Sequence, residues 1–525
     1  MSERLIALSK AINSSKVGHP IAQGTESIEV SVPASTAATL YEKVRVTLEY
    51  QEDHLLRRNA IARILRRFLG SDVPLEDMAE SLLRELVWAK YLPNKEIPTS
   101  FINDLSPIFL KYGALLEAVE HTHKPDYSFQ WVLDVLSTEL EYAIVSHQKD
   151  ELMVSYMYEQ MRTRIQWDPG ICIAEDQKDL LLFIAVHKTL LKSDIATLRY
   201  RALSLYYPDW LGASNKKRID EVSAGLQKII SVIDAQIENQ MVEKLSQKLR
   251  RQAGLFRVLQ DVIEENPDDF EEFITKEPDL FGRAIWKSLK QRTKSFRSRL
   301  RRTAVRAVLF LFITKMTLAI ILEVPYDLII HGKMFFIPLA INILFHPLFL
   351  AFISMTVVVS EHRNSEDYKS AARALVVGAN HDFLNIRIKK DKFSTWSTIF
   401  SFVYVVVFLA VYVFIGFILY QMKFNAFSIA LFLFFLSLVT FFGIRIRSST
   451  RDIVLSAQRR GVFGSIFDVI VLPIVHFGRW LSVKVSKINV FIYFFDFIIE
   501  SPFKVAIKFI EEWLAFIREK KEEIS

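Results

Sequence analysis

Lys315, Asn342 and His346 are the residues whose types and spacing most readily do chemistry. Each stands inside an apolar stretch long enough to cross a bilayer. Lys315 lies nine residues past Arg306, about 13 Å along a helix at 1.5 Å per residue. That places it near the middle of a span. Asn342 and His346 are four apart and share one helix face, and Pro347 frees the carbonyl of Ile343. An ammonium in hydrocarbon needs acceptors, which an Asn carbonyl and a neutral imidazole can supply. An ionisable residue at such depth costs roughly 2.5–3.5 kcal/mol on insertion scales and marks a candidate ion or proton path. The competing account has Lys315 snorkelling to the headgroups while Asn342 and His346 only join helices.

Other reactive types are sparse. Asp468 and His476 fall in an apolar segment, 461–478, where an acid and an imidazole at the interface would suit work on a lipid. His121 and His123 are the close His pair, in a loop before Lys124-Pro125 and without a third ligand in sequence, so no metal site is expected. Cys172, between Ile171 and Ile173, reads as a buried, inert thiol. As the single cysteine it excludes an internal disulfide and a cysteine-based structural zinc site. The sequence holds no glycine-rich phosphate loop and no His-Glu-x-x-His, so no cofactor is expected and no catalytic residue is assigned.

A basic run precedes the first span. Arg283, Lys287, Lys290, Arg292, Lys294, Arg297, Arg299, Arg301 and Arg302 follow one another with no acid between them. Such a cluster stays on the cytoplasmic side. Facing anionic lipid, each basic group near the surface contributes about 1 kcal/mol. Residues Lys287 to Arg302 are therefore expected to bind headgroups. Direct fusion to a span favours lipid over nucleic acid as the partner.

These groups need elements to position them. Four apolar stretches, 304–322, 334–360, 396–420 and 426–444, read as transmembrane helices. The link 323–333 carries Lys333 as its only Lys or Arg and fits the outside. The loop 361–395 and the residues after Ile444 are rich in Lys and Arg and fit the inside. Segments 461–478 and 488–503 carry acids and prolines and are placed in 445–504 as interfacial or re-entrant. Six spans result if both cross instead. Residues 505–525 read as an amphipathic helix with Phe509, Trp513 and Ile517 on its apolar face. Both termini are then cytoplasmic, with the plasma (inner) membrane as the expected location.

The first 282 residues look soluble. They hold 33 Lys and Arg against 43 Asp and Glu, a net charge of −10 in a chain whose total is +7. That acidic part should avoid anionic lipid. Residues 1–24 are expected to be mobile, and 26–32 alternates like a short strand. The rest of 25–282 reads as capped amphipathic helices, with one over about 35–69 and a long one over about 215–253 running through Gly225. A basic juxtamembrane helix, 283–303, joins this domain to the membrane part, 304–444. Gly and Pro number 16 each, which favours helices, and the expected class is all-α. Three functions compete: a membrane-anchored scaffold or adaptor whose helical domain binds other proteins, an oligomeric channel or transporter subunit, and an enzyme acting on lipid. A homo-oligomer is compatible with all three.

Overall fold

The computed structural model describes residues 2–14, 27–30, 53–70, 74–210, 216–275, 278–355, 361–379, 381–389, 395–448, 474–475 and 477–480. These residues are mostly helical, and three helices among them are long and apolar enough to cross a membrane. The chain divides into two compact units. One holds Arg4–Ile165 and Cys172–Leu249, and the other holds Gln166–Ile171 and the described chain from Arg250 onward. The division falls at Leu249, inside a helix.

The first unit is a helical bundle. It comprises α1 (Ser2–Ser14), α2 (Asp53–Leu69), α3 (Met78–Trp88), α4 (Phe101–Val119), α5 (Pro125–Ile144), α6 (Gln148–Arg162), α7 (Glu175–Leu190), α8 (Ile195–Tyr206), α9 (Lys216–Ala224) and α10 (Leu226–Ile237). Helix α5 is its axis. Pro125 opens it at the first helical position, where a missing N–H costs nothing. Trp131, Val132, Leu133, Val135, Leu136 and Leu140 are buried around its whole circumference. Asp134, Glu139 and Glu141 are buried with them, so the helix is enclosed on all sides although it is not apolar on all sides. Asp194 caps α8 by accepting from the Thr197 N–H at 3.0 Å and also pairs with Arg58.

Several local expectations change. Within the N-terminal stretch, Ser2–Ser14 is a helix in which Leu5 and Ile12 are buried. Residues 27–30 form no strand. Ser27 makes one antiparallel bridge to Pro98, and Asn94 clamps Val30 by two 3.1 Å hydrogen bonds to its backbone. The helix expected from about 35 is described only from Asp53. The long helix over 215–253 is broken at Gly225 and again after Ile237. At Gly225 the backbone departs from helix for one residue, at φ −89° and ψ 1°, and after Ile237 the Asn239 side chain accepts from the Met241 N–H at 2.9 Å and starts a new helix. That helix is α11 (Gln240–Glu265).

The second unit continues with α12 (Phe270–Thr275) and α13 (Pro278–Leu318). Beyond Leu318 the helix does not stop. It passes through π turns at Ala319–Glu323 and Asp327–His331, with one α turn, Val324–Tyr326, between them. Gly332, at φ 62°, ends it. The expected loop over 323–333 is thus helical up to His331. Pro325 explains the π turns, because its ring collides with the carbonyl four residues back and a wider turn relieves the clash. Then come α14 (Phe336–Met355), α15 (Glu361–Val377), α16 (Thr395–Gln421) and α17 (Ala426–Ser448). The described apolar stretch of α16 is Val405–Gln421.

Two contacts shape this unit. Helix α17 crosses α14 closely at Gly443, where a Cβ would meet the Ile353 side chain at 2.8 Å. Ile474 packs with Leu419, Phe424, Phe432 and Leu436, while Phe477 stacks its edge against Phe408 and Tyr412. Strands β1 (Ile165–Trp167) and β2 (Ile386–Ile388) form a two-stranded pair that the sequence did not suggest.

Candidate functional site

The buried face of the α13 helix is a ladder with a step of four. Leu311, Lys315, Ala319, Glu323 and Asp327 are all buried, although the surrounding Phe310, Ile313, Ile320 and Ile321 are exposed to what would be lipid. In an unbroken α-helix, eight residues overshoot two turns by about 80°. The π turns take up part of that overshoot and keep Glu323 and Asp327 on the Lys315 side. Helix α14 answers with its own ladder of Pro338, Asn342, His346 and Leu350.

Lys315 and Asn342 meet as the sequence suggests. The Lys315 ammonium, 1% exposed, donates to Asn342 Oδ1 at 2.7 Å and lies 4.1 Å from the centre of the Phe435 ring. The Asn342 amide donates from Nδ2 to Glu323 Oε1. Asn342 therefore bridges a cation and an anion. The cation on one side and the carboxylate on the other fix which way the amide points, since a flip would set NH2 against ammonium. One turn further on, Asn425 donates to Asp327 Oδ1 at 2.6 Å and accepts from the Ser428 N–H at 2.7 Å at the start of α17.

His346 does not solvate the ammonium as expected. Its Nε2 faces the Phe432 carbonyl at 3.0 Å, and its Nδ1 faces the Asn342 carbonyl at 3.2 Å. Each nitrogen faces a backbone carbonyl, and the Lys315 ammonium donates to Asn342 instead. The ammonium has Asn342 and the Phe435 ring as its neighbours, and Glu323 joins the cluster through the Asn342 amide. Sequence reading missed Glu323 and Asp327 by ending the span at Leu322. The step of four from Lys315 through Ala319 was the available signal. Asp468 and His476 lie outside the described residues.

The basic residues before the span divide into two sets. Asp279–Ile330 is 52 residues of helix, about 78 Å at 1.5 Å per residue. A bilayer with its headgroups is about 40–45 Å thick. At least about 33 Å of this helix therefore lies in water when it stands across a membrane. Packing in the second unit agrees. Phe281, Ile285, Ser288 and Leu289 are buried, and Arg373 of α15 reaches Asp279 at 3.4 Å. Arg292 is committed within the protein, with Nη2 on Asp261 Oδ1 at 2.6 Å and on the Arg257 carbonyl at 3.2 Å. Lys287 lies 3.5 Å from Glu265. Arg283, Lys287, Lys290, Lys294, Arg297 and Arg301 are exposed at alternate steps of four and three, one stripe along the helix.

The first unit buries further ionisable groups. Arg199 binds Asp134 at 2.8 Å and Asp234 at 2.9 Å. Lys111 pairs with Glu139, which also accepts from Tyr112 at 2.7 Å. Burial pushes Lys111 below its ordinary pKa against the pull of Glu139, and pushes Glu139 above its own. Burial, then the Arg201 charge, drives His187 down to about 3. Its ring nitrogens make no hydrogen bond, and Glu151, 3.5 Å away, is held by Arg201 at 2.6 Å. Cys172 is exposed rather than buried. Among the described residues no group of His, Cys, Asp and Glu is placed to hold a metal, His121 and His123 included.

Compared with protein families, curated proteins and solved structures, the chain matches none of them.

Proposed function

We propose that this chain is a membrane-anchored adaptor that presents helical surfaces to partner proteins. The observation that carries this reading is the 52-residue helix Asp279–Ile330, which joins a span to a stalk without a break. An anchor alone needs only about 20 residues. The extra length, buttressed by Asp261, Asp279 and α15, makes a rigid rod that displays a basic stripe in water. Charges more than a Debye length of roughly 8–10 Å from the bilayer are screened from it. Arg297, Arg299, Arg301 and Arg302 then meet anionic headgroups. Lys287, Lys290 and Lys294 stand too far out and face an acidic protein partner instead. No nucleic acid is invoked, because the basic stripe is continuous with a membrane-length apolar helix.

The proposed topology has four spans with both termini in the cytoplasm of the plasma (inner) membrane. The descent from Ile474, level with Leu419 and Phe432, to Phe477, level with Phe408 and Tyr412, supports it. That direction runs with α17, whereas an outward fifth span would run against it. Photocrosslinkers at residues 287, 290 and 294 of the full chain in cells should capture a protein. Reversal of the three charges to Glu should abolish that capture while membrane insertion persists. Capture of lipid alone at all three sites would refute the reading.

A further inference from the structure

Four buried polar side chains of the membrane unit form a row. From the Gly332 end inward come Asp327, Glu323, Asn342 and Lys315. Each carboxylate is held by an Asn amide, Asp327 by Asn425 just before α17 and Glu323 by Asn342 of α14. Asp327 and Glu323 are four residues apart, about 6 Å of helix rise. On the Ala304 side of Lys315 the same interior is closed by Leu311, Leu350, Phe435 and Val439. Among the described residues, no carboxylate or ammonium is buried on that side between Lys315 and Ala304, and the imidazole one step past Asn342, His346, is held between the Asn342 and Phe432 carbonyls.

From this one-sided order we infer that Glu323 is a proton-binding site reached from the Gly332 side through Asp327. This goes beyond the adaptor reading and depends only on the helix crossing the membrane. A helix-joining role requires polar pairs but gives no reason for a graded row that ends at an apolar plug. A metal cation is the poorer ligand, because Asn342 turns its amide oxygen to Lys315 and its NH2 to the carboxylate. The step balances simply. Asp327 takes a proton from water, passes it to Glu323 and returns to carboxylate. Glu323 becomes a neutral acid whose free oxygen still accepts from Asn342. Asn342, whose oxygen holds Lys315, is the positioning residue.

The test uses the full chain in vesicles with an apolar carbodiimide, which reacts with a protonated carboxyl in a lipid environment. Mass spectrometry reads the adduct at Glu323. Acidifying the Gly332 side alone should raise labelling at Glu323 at least fivefold. Acidifying the Ala304 side alone should leave it unchanged. Asp327→Asn should remove the rise, and because Asn keeps an oxygen for Asn425 the bundle should still form. Intact packing would show as unchanged labelling when both sides are held acidic long enough to equilibrate. Labelling indifferent to pH, equal from both sides, or equally fast in Asp327→Asn would overturn the inference and leave the row a helix-joining device.

Discussion

Asn342 is the residue on which the membrane interior turns. It satisfies Lys315 with its oxygen and Glu323 with its nitrogen. Asn342→Leu should cost about 3–5 kcal/mol, because it strands two buried charges at once. The triple change of Lys315, Asn342 and Glu323 to Leu should recover most of that loss. Thermal unfolding in detergent compares the two, and a single variant as stable as the wild type would contradict the bridge. In the helical unit, His187 makes a separate prediction. Its folded pKa of about 3 lies below the unfolded value near 6.5. The unfolded chain therefore binds the extra proton first, and the stability present above pH 6.5 is lost as pH falls toward 3. Between pH 7 and 5 the wild type should lose about 2 kcal/mol relative to His187→Leu. Equal acid profiles would argue that the ring is solvated. Lys315 and Asn342 were legible in sequence because a polar residue stands out in an apolar run. Glu323 was not, because Pro325 and a following acid mimic the end of a span. The wide turns that bring it round are a response to packing and to the proline.

At the scale of elements, close approach sets two more tests. Gly443 lets α17 lie against Ile353 of α14, where any Cβ would fall at 2.8 Å. Gly443→Leu should lower bundle stability by about 1–3 kcal/mol, and Ile353→Ala should restore part of it. Additive losses in the double variant would show that the two residues do not touch. The helices themselves were largely readable from apolar periodicity, capping residues and Pro or Gly breaks. Pro278 at the head of α13 and Gly378, with φ 76°, after α15 behave as their types suggest. Gly225 did not. The second break, after Ile237, has Asn239 restarting the chain about four turns past Gly225, a choice that intrinsic propensity does not contain. The pairing of Ile165–Trp167 with Ile386–Ile388 was likewise hidden, since three-residue strands carry too little alternation to read.

For the whole molecule, the membrane character was plain from composition and from apolar runs with basic flanks. What the sequence left open was how far the basic run stands from lipid. That depends on one helix continuing without a break from Pro278 to beyond the bilayer's midpoint. The account rests on this helix more than on any other element. The direct measurement is a depth scan by spin labels at single cysteines in a Cys172→Ser background, with the full chain in anionic vesicles. Labels at residues 287, 290 and 294 should collide freely with a water-soluble relaxant and feel no headgroup-bound one. Labels at residues 309, 313 and 320 should report hydrocarbon through oxygen contact. If instead residues 287 to 294 read at headgroup depth, the helix lies along the membrane, and both the stalk and the partner surface proposed on it are wrong.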